Sequence, residues 1–189
     1  KPGAAAQIAA NQVKAAAPDG YTLLLTSNTT HSVNPHIFKK LQYDPIADFT
    51  PIGGVGFFPF VLAVDAKIPV KTPQEFVAWA RENKGKTFYA YGTPTVQIPA
   101  EAINRIEKLE ATGVPYKSSP DALADVIGGR AQFMVIDLAS SQPQVKAGRL
   151  RVLGVTSSKR TALAPDLPTI EETLKIKDFD LAAWTGLFG

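Results

Sequence analysis

The chain contains no cysteine. Thiol catalysis, disulfides and thiolate metal sites are therefore excluded, and an oxidising compartment is tolerated without stray thiols. Histidine is almost as scarce: His31 and His36 are the only two. A histidine-rich metal centre cannot be built from them, and no metal or cofactor motif is found. Charge of one sign is also lacking, since 20 Lys and Arg against 17 Asp and Glu leave a net charge of +3. The cations are scattered, without the basic runs or interleaved aromatics that nucleic acid binding requires. A weak positive field of this kind suits an anionic small molecule. No apolar run reaches the length of a bilayer span, and no signal peptide is visible. A nucleophile elbow and a phosphate-binding Gly-Lys-Ser loop are missing too. One carboxylate, Asp137, does not make an acid/base pair, so an enzyme is not expected.

The 189 residues are 45% hydrophobic and 20% charged, as in a folded protein with one or two cores. Helical and strand patterns alternate from end to end, which predicts an α/β fold with mostly parallel strands. A small-residue helix is expected over Ala4 to Ala17, stopped by Pro18-Asp19-Gly20. Tyr21 to Thr26 follows as an apolar run without alternation, read as a strand buried on both faces. Strand material between Thr50 and Val64 is broken by Gly53, Gly54, Gly56 and Pro59. Lys71-Thr-Pro-Gln-Glu75 reads as a capping box with Thr72 as N-cap, and Thr169 with Glu172 reads as a second. The region from Ala63 to Pro73 is the expected crossing between two lobes. This predicts a first lobe over 1–65, a second over 66–182 and a strand, 183–189, returning to the first.

The organising stretch is Phe88 to Ala100. Phe88 to Tyr91 is a strand, Gly92 to Val96 a polar turn, and Pro99 the first position of the next helix. A strand that feeds a helix through a polar turn leaves N–H groups pointing outward, and the helix dipole reinforces them toward anions. Gly92, Thr93, Thr95 and Val96 are therefore candidate ligand-binding residues. A matching junction earlier in the chain offers Asn28, Thr29, Thr30 and His31. For these the alternatives are helix capping and, for His31, a hydrogen bond inside the loop. Asp137 and Ser140 occupy a third junction, after the buried strand Gln132 to Asp137. There a carboxylate repels an anion unless a proton, water or ammonium intervenes.

Several segments together resemble a known family. Ala17-Pro-Asp-Gly-Tyr-Thr-Leu-Leu followed by His31-Ser-Val-Asn-Pro35, Val114-Pro-Tyr-Lys117, Leu123 to Gly129, Ala147 to Ser158, Asp166-Leu-Pro-Thr169 and Trp184 to Phe188 are similar, in order, to the extracytoplasmic solute receptors of tripartite tricarboxylate transporters, also called Bug receptors. The resemblance implies a periplasmic binding protein of type II fold, with two Rossmann-like lobes hinged over a cleft. It implies a small organic carboxylate as ligand (a di- or tricarboxylate, an amino acid or an aromatic acid), transporter membrane subunits as partners, no nucleic acid partner, no cofactor and no catalysis. The family's opening strand and its Pro/Gly-rich loop would precede Lys1, and much of the first lobe would follow Gly189. The chain is thus expected to be cut at both ends, with an incomplete first lobe. Thr95-Val96-Gln97 also departs from the Gly/Ser-rich loop of many relatives. The alternatives are a ligand-sensing domain of similar fold and a fragment that binds nothing.

Overall fold

A computed structural model of the chain describes residues 4–189. Residues 1–3, which the expected first lobe includes, lie outside the described residues. In chain order the first elements are α1 (Gln7–Lys14), β1 (Leu24–Ser27), α2 (Asn34–Ile37), β2 (Pro51–Phe58) and β3 (Phe60–Asp65). Next come α3 (Pro73–Glu82), β4 (Phe88–Tyr91), α4 (Pro94–Ile106), β5 (Thr112–Pro115) and α5 (Ser119–Ile127). The last are β6 (Phe133–Asp137), α6 (Leu138–Lys146), β7 (Leu150–Val155), α7 (Ile170–Leu174) and β8 (Ala183–Phe188). They fall into two compact units: one runs to Phe58 and includes Ala183–Gly189, and the other is the continuous stretch Pro59–Ala182.

The first unit holds a three-stranded sheet in the order β1-β8-β2. Both of its pairings are antiparallel, with Leu25 opposite Leu187 and Gly54 opposite Gly186. This corrects the expectation of parallel strands here. Burial along β1 alternates, from Leu24 at 4% exposure to Leu25 at 63% and Thr26 at 8%. The apolar run around Leu23–Leu25 therefore reflects a strand covered on one face only. The first helix is shorter than its composition suggests. Ala5 and Ala6 sit at positive φ, and Asn34 Nδ2 donates to the Ala5 carbonyl at 2.9 Å, which ties the backbone elsewhere before α1 begins.

The second unit holds a five-stranded sheet in the order β5-β4-β6-β3-β7. β4 runs parallel to β5 and to β6, whereas β3 lies antiparallel between β6 and β7. The sheet is thus mixed. Phe60 starts opposite Asp137, and Val61 opposite Val155. β3 therefore enters where β6 and β7 leave, so it must run against them. It also moves the lobe boundary. The sequence placed 60–65 in the first lobe, but this strand is fully buried in the second sheet. The first crossing falls at Phe58–Pro59 rather than within Ala63–Pro73, because Pro59 and its lost N–H separate two strands that otherwise read as one.

Core packing explains the helices of this unit. Val61, Ala63, Ala90, Val126, Met134 and Ile136 form one buried cluster, and Phe76 meets Phe133 edge-on at 5.0 Å between ring centroids. Thr72 accepts the Glu75 N–H at 3.2 Å, as expected of a cap, but the Glu75 carboxylate reaches back to Lys71 N rather than to Thr72. Thr169 likewise accepts the Glu172 N–H at 2.9 Å, while the Glu172 carboxylate is taken by Arg160. The Thr72 box is therefore present in only one of its two bonds, whereas the Glu172 carboxylate also takes the Thr169 backbone N–H and completes the second box.

Candidate functional site

The carboxyl ends of the parallel strands β4, β5 and β6 share one edge of the second sheet, and each leads into a helix. At β4 the junction is tighter than the sequence indicates. α4 starts at Pro94, so the free turn is only Gly92 and Thr93, and Thr95 and Val96 lie in the first helical turn. Pro99 is inside the helix, not at its start. The misreading has a simple cause: both Pro94 and Pro99 suit a first position, and Pro94 is adjacent to a residue that can cap.

Thr93 is that N-cap, extended at φ −145° and ψ 154°, yet its side chain makes no capping hydrogen bond. The other four helices of this unit differ. Thr72, Ser118, Asp137 and Thr169 each accept an N–H from the first turn of α3, α5, α6 and α7 respectively. Thr93 is exposed, whereas Thr95 and Val96 are buried at 7% exposure each. Gly92 is required by close approach. A Cβ there would lie 2.2 Å from Ser119 N and 2.3 Å from the Ser118 carbonyl carbon. The start of α5 is thus packed directly on the turn that precedes α4. Sequence reading valued Gly92 only for backbone freedom and did not bring Ser118 into the site. Only the fold places the β5–α5 junction beside it.

The second and third turns of α4 are anchored to the sheet. Tyr89, buried on β4, donates to Glu101 Oε2 at 2.8 Å, and Asn104 Nδ2 donates to the same oxygen at 3.0 Å. Arg105 Nε donates to Glu101 Oε1 at 2.6 Å. Burial alone would raise the Glu101 pKa, but the bonds from Arg105, Asn104 and Tyr89 outweigh it and hold the carboxyl below its usual value. Burial, with Glu101 as neighbour, pushes the Tyr89 phenol well above its usual range. Asn104 also takes both backbone groups of Ala111, donating to its carbonyl at 3.0 Å and accepting from its N–H at 2.9 Å.

At the neighbouring junction one oxygen of the Asp137 carboxylate is occupied. Its Oδ1 accepts the Ser140 N–H at 2.8 Å, which makes it the N-cap of α6.

In the first unit the candidate loop follows β1 as a tight π-type turn, Thr29–Val33. Its hydroxyls are largely committed inside the loop. Thr30 is fully buried, with Oγ1 at 2.8 Å from both Thr26 Oγ1 and His31 Nδ1. Thr29 N–H and Oγ1 both meet the Ser27 hydroxyl. The His31 ring stacks on Phe188 at 4.0 Å between centroids and faces Phe49 at 5.2 Å. Burial lowers its pKa. Two buried atoms of this loop have no partner among the described residues, Asn28 Oδ1 and His31 Nε2. A separate cavity of about 390 Å³ in the same unit is lined by α1, Ala47–Thr50 and Gly189, and none of the candidate residues lines it. Among the described residues no cluster of three metal-ligating side chains occurs, and no helix is long and apolar enough to cross a membrane.

Residues 1–189 match the tripartite tricarboxylate transporter family receptor over their whole length. The chain belongs to that family. A UPF0065 protein of Bordetella bronchiseptica is 37% identical over 178 residues, covering 92% of this chain and 52% of the relative. The chain thus spans about half the length of that curated relative. Among solved structures, R. palustris Rpa4515 with adipate superposes with a TM-score of 0.90 at 31% identity, covering 97% of this chain and 62% of that one. MatC (Rpa3494) of Rhodopseudomonas palustris with bound malate gives a TM-score of 0.86 at 30% identity, covering 99% and 64%. The mixed α/β fold of this receptor-family chain is accordingly that of periplasmic solute-binding proteins of the Bug type.

Proposed function

We propose that this chain is part of an extracytoplasmic receptor that captures a small organic carboxylate in the periplasm and delivers it to the membrane subunits of a tripartite tricarboxylate transporter, without transforming it. The observation that supports this most is the first turn of α4. It is the one helix start in the second unit left without a side-chain cap among the described residues. It lies at the carboxyl edge of parallel strands, where open α/β sheets take their ligands. The Thr93 hydroxyl and the amide of Val96 are the donors offered to the carboxylate, with Gly92 and Thr95 shaping the turn. In the first unit, Asn28 and His31 are the members of the candidate loop that still carry unpartnered atoms, whereas Thr29 and Thr30 hold the loop in shape. Asp137 and Ser140 act on the helix next door. Adipate and malate, the ligands of two relatives, make dicarboxylates the first compounds to try.

Calorimetric titration of the chain with malate and adipate, followed by mass spectrometry of the recovered ligand, tests the reading. It expects saturable binding and unaltered ligand. Ligand converted in proportion to time and protein would contradict it.

A further inference from the structure

A second cavity lies at the opposite edge of the five-stranded sheet. β3 ends there at Asp65, and β7 begins there at Leu150, its partner in register. The cavity is about 280 Å³, lined by Asp65, Ala66, Lys67, Ile127, Gly148 and Arg149. That is roughly nine water volumes at about 30 Å³ each, enough for a small polar molecule. The C-terminal ends of α5 and α6 also arrive here, closing on Gly129 and Gly148 at φ +78° and +66°.

Asp65 is the unusual member. It is only 5% exposed. Its Oδ1 accepts the Lys67 N–H at 3.0 Å, but among the described residues its Oδ2 has neither a hydrogen-bond donor nor an ion-pair partner. A Cβ built on Gly129 would stand 3.5 Å from that oxygen, in ordinary van der Waals contact, so the end of α5 lies beside the carboxylate. Arg151, the nearest cation in the strand register, is already spent: it donates to the carbonyls of Ala66, Ile68 and Val70 and holds the turn after β3. That oxygen is open to the cavity, where a cation can reach it, and two helix C-termini add negative potential beside it. Lys67 and Arg149 are exposed and supply positive charge at the rim. The inner wall therefore suits a cation and the mouth an anion.

We propose that this cavity is a second small-molecule site, separate from the α4 edge, that takes a small amino acid or similar zwitterion. Its ammonium is held by Asp65 Oδ2, and its carboxylate faces Lys67 and Arg149.

The test is amide-resolved NMR of the full chain titrated with glycine, with methylammonium and acetate as half-molecule probes. Glycine should shift the amides of Ala66, Lys67, Gly129, Gly148 and Arg149 saturably, and each half-molecule should bind there at least tenfold more weakly. Asp65→Asn should weaken the glycine response at these amides at least tenfold. Should that variant not fold, Lys67→Met with Arg149→Met, both on the surface, should weaken it at least threefold. Absence of a saturable shift at these amides would overturn the proposal. Glycine binding unchanged in the variants, or acetate binding as tightly as glycine, would overturn it equally. Shifts confined to Thr93–Gln97 would count against this site while leaving the α4 reading intact.

Discussion

Thr93 and Asp137 occupy equivalent positions, each an N-cap at the end of a parallel strand, and differ in one respect. Asp137 spends its carboxylate on Ser140 N, whereas the Thr93 side chain caps nothing. The two substitutions should therefore separate stability from binding. Asp137→Ala should lower unfolding free energy by about 1 kcal/mol, the usual worth of a cap, and leave malate affinity unchanged. Thr93→Val should leave stability nearly unchanged and weaken malate by about 1 kcal/mol, roughly fivefold, as loss of a charge-assisted hydrogen bond does. Denaturant melts and calorimetry read both. The opposite assignment of effects would exchange the roles of the two residues. His31 gives a pH dependence. Burial among aromatic rings lowers its folded pKa below the unfolded value near 6.5, so the unfolded chain binds the extra proton first. The His31 contribution to stability is complete above about pH 6.5 and falls as pH drops from there toward the lowered folded pKa. Denaturant midpoints between pH 7.5 and 5 should show that loss in the native chain and less of it in His31→Gln. Parallel curves would remove His31 as its source.

At the scale of elements, α4 is fixed at two places by different chemistry. Asn104 bridges both backbone groups of Ala111, and Gly92 admits the start of α5. Asn104→Ala leaves two backbone groups without partners and should destabilise the chain by about 2 kcal/mol, measured by chemical denaturation. A change under a quarter of that would mean that water replaces the side chain. These anchors show what could be read from the sequence and what could not. The caps at Thr72 and Thr169 are local, determined by neighbours within one turn, and are legible in the sequence. The start of α4 was not, since Pro94 and Pro99 carry the same local signal and only packing against Ser118 and Ser119 decides between them. The orientation of β3 was hidden for a similar reason. Hydrophobic content marks Phe60–Val64 as a buried strand but says nothing about which edge of a sheet it enters. In the first unit, the run Tyr21–Thr26 reads as buried on both sides because leucine marks a strand without marking how many faces are covered.

At the scale of the molecule, the two units are unequally built. β3 is buried along its whole length and β6 nearly so, whereas seven of the eight residues of β2 are exposed. Hydrogen exchange followed by mass spectrometry should find the amides of Val61–Val64 and Phe133–Ile136 the slowest to exchange, and those of Ile52–Phe58 open at far lower free energy. Equal protection in both would contradict this inequality. The functional reading, in contrast, rests on family membership and on one helix start. The measurement that bears on it most directly is the amide NMR response of Thr95, Val96 and Gln97 to malate, compared with that to its uncharged diamide. The account predicts a saturable shift of these amides with malate, centred on Val96, little with the diamide, and a weaker one in Thr93→Val. A malate response that leaves residues 93–97 unmoved would contradict it.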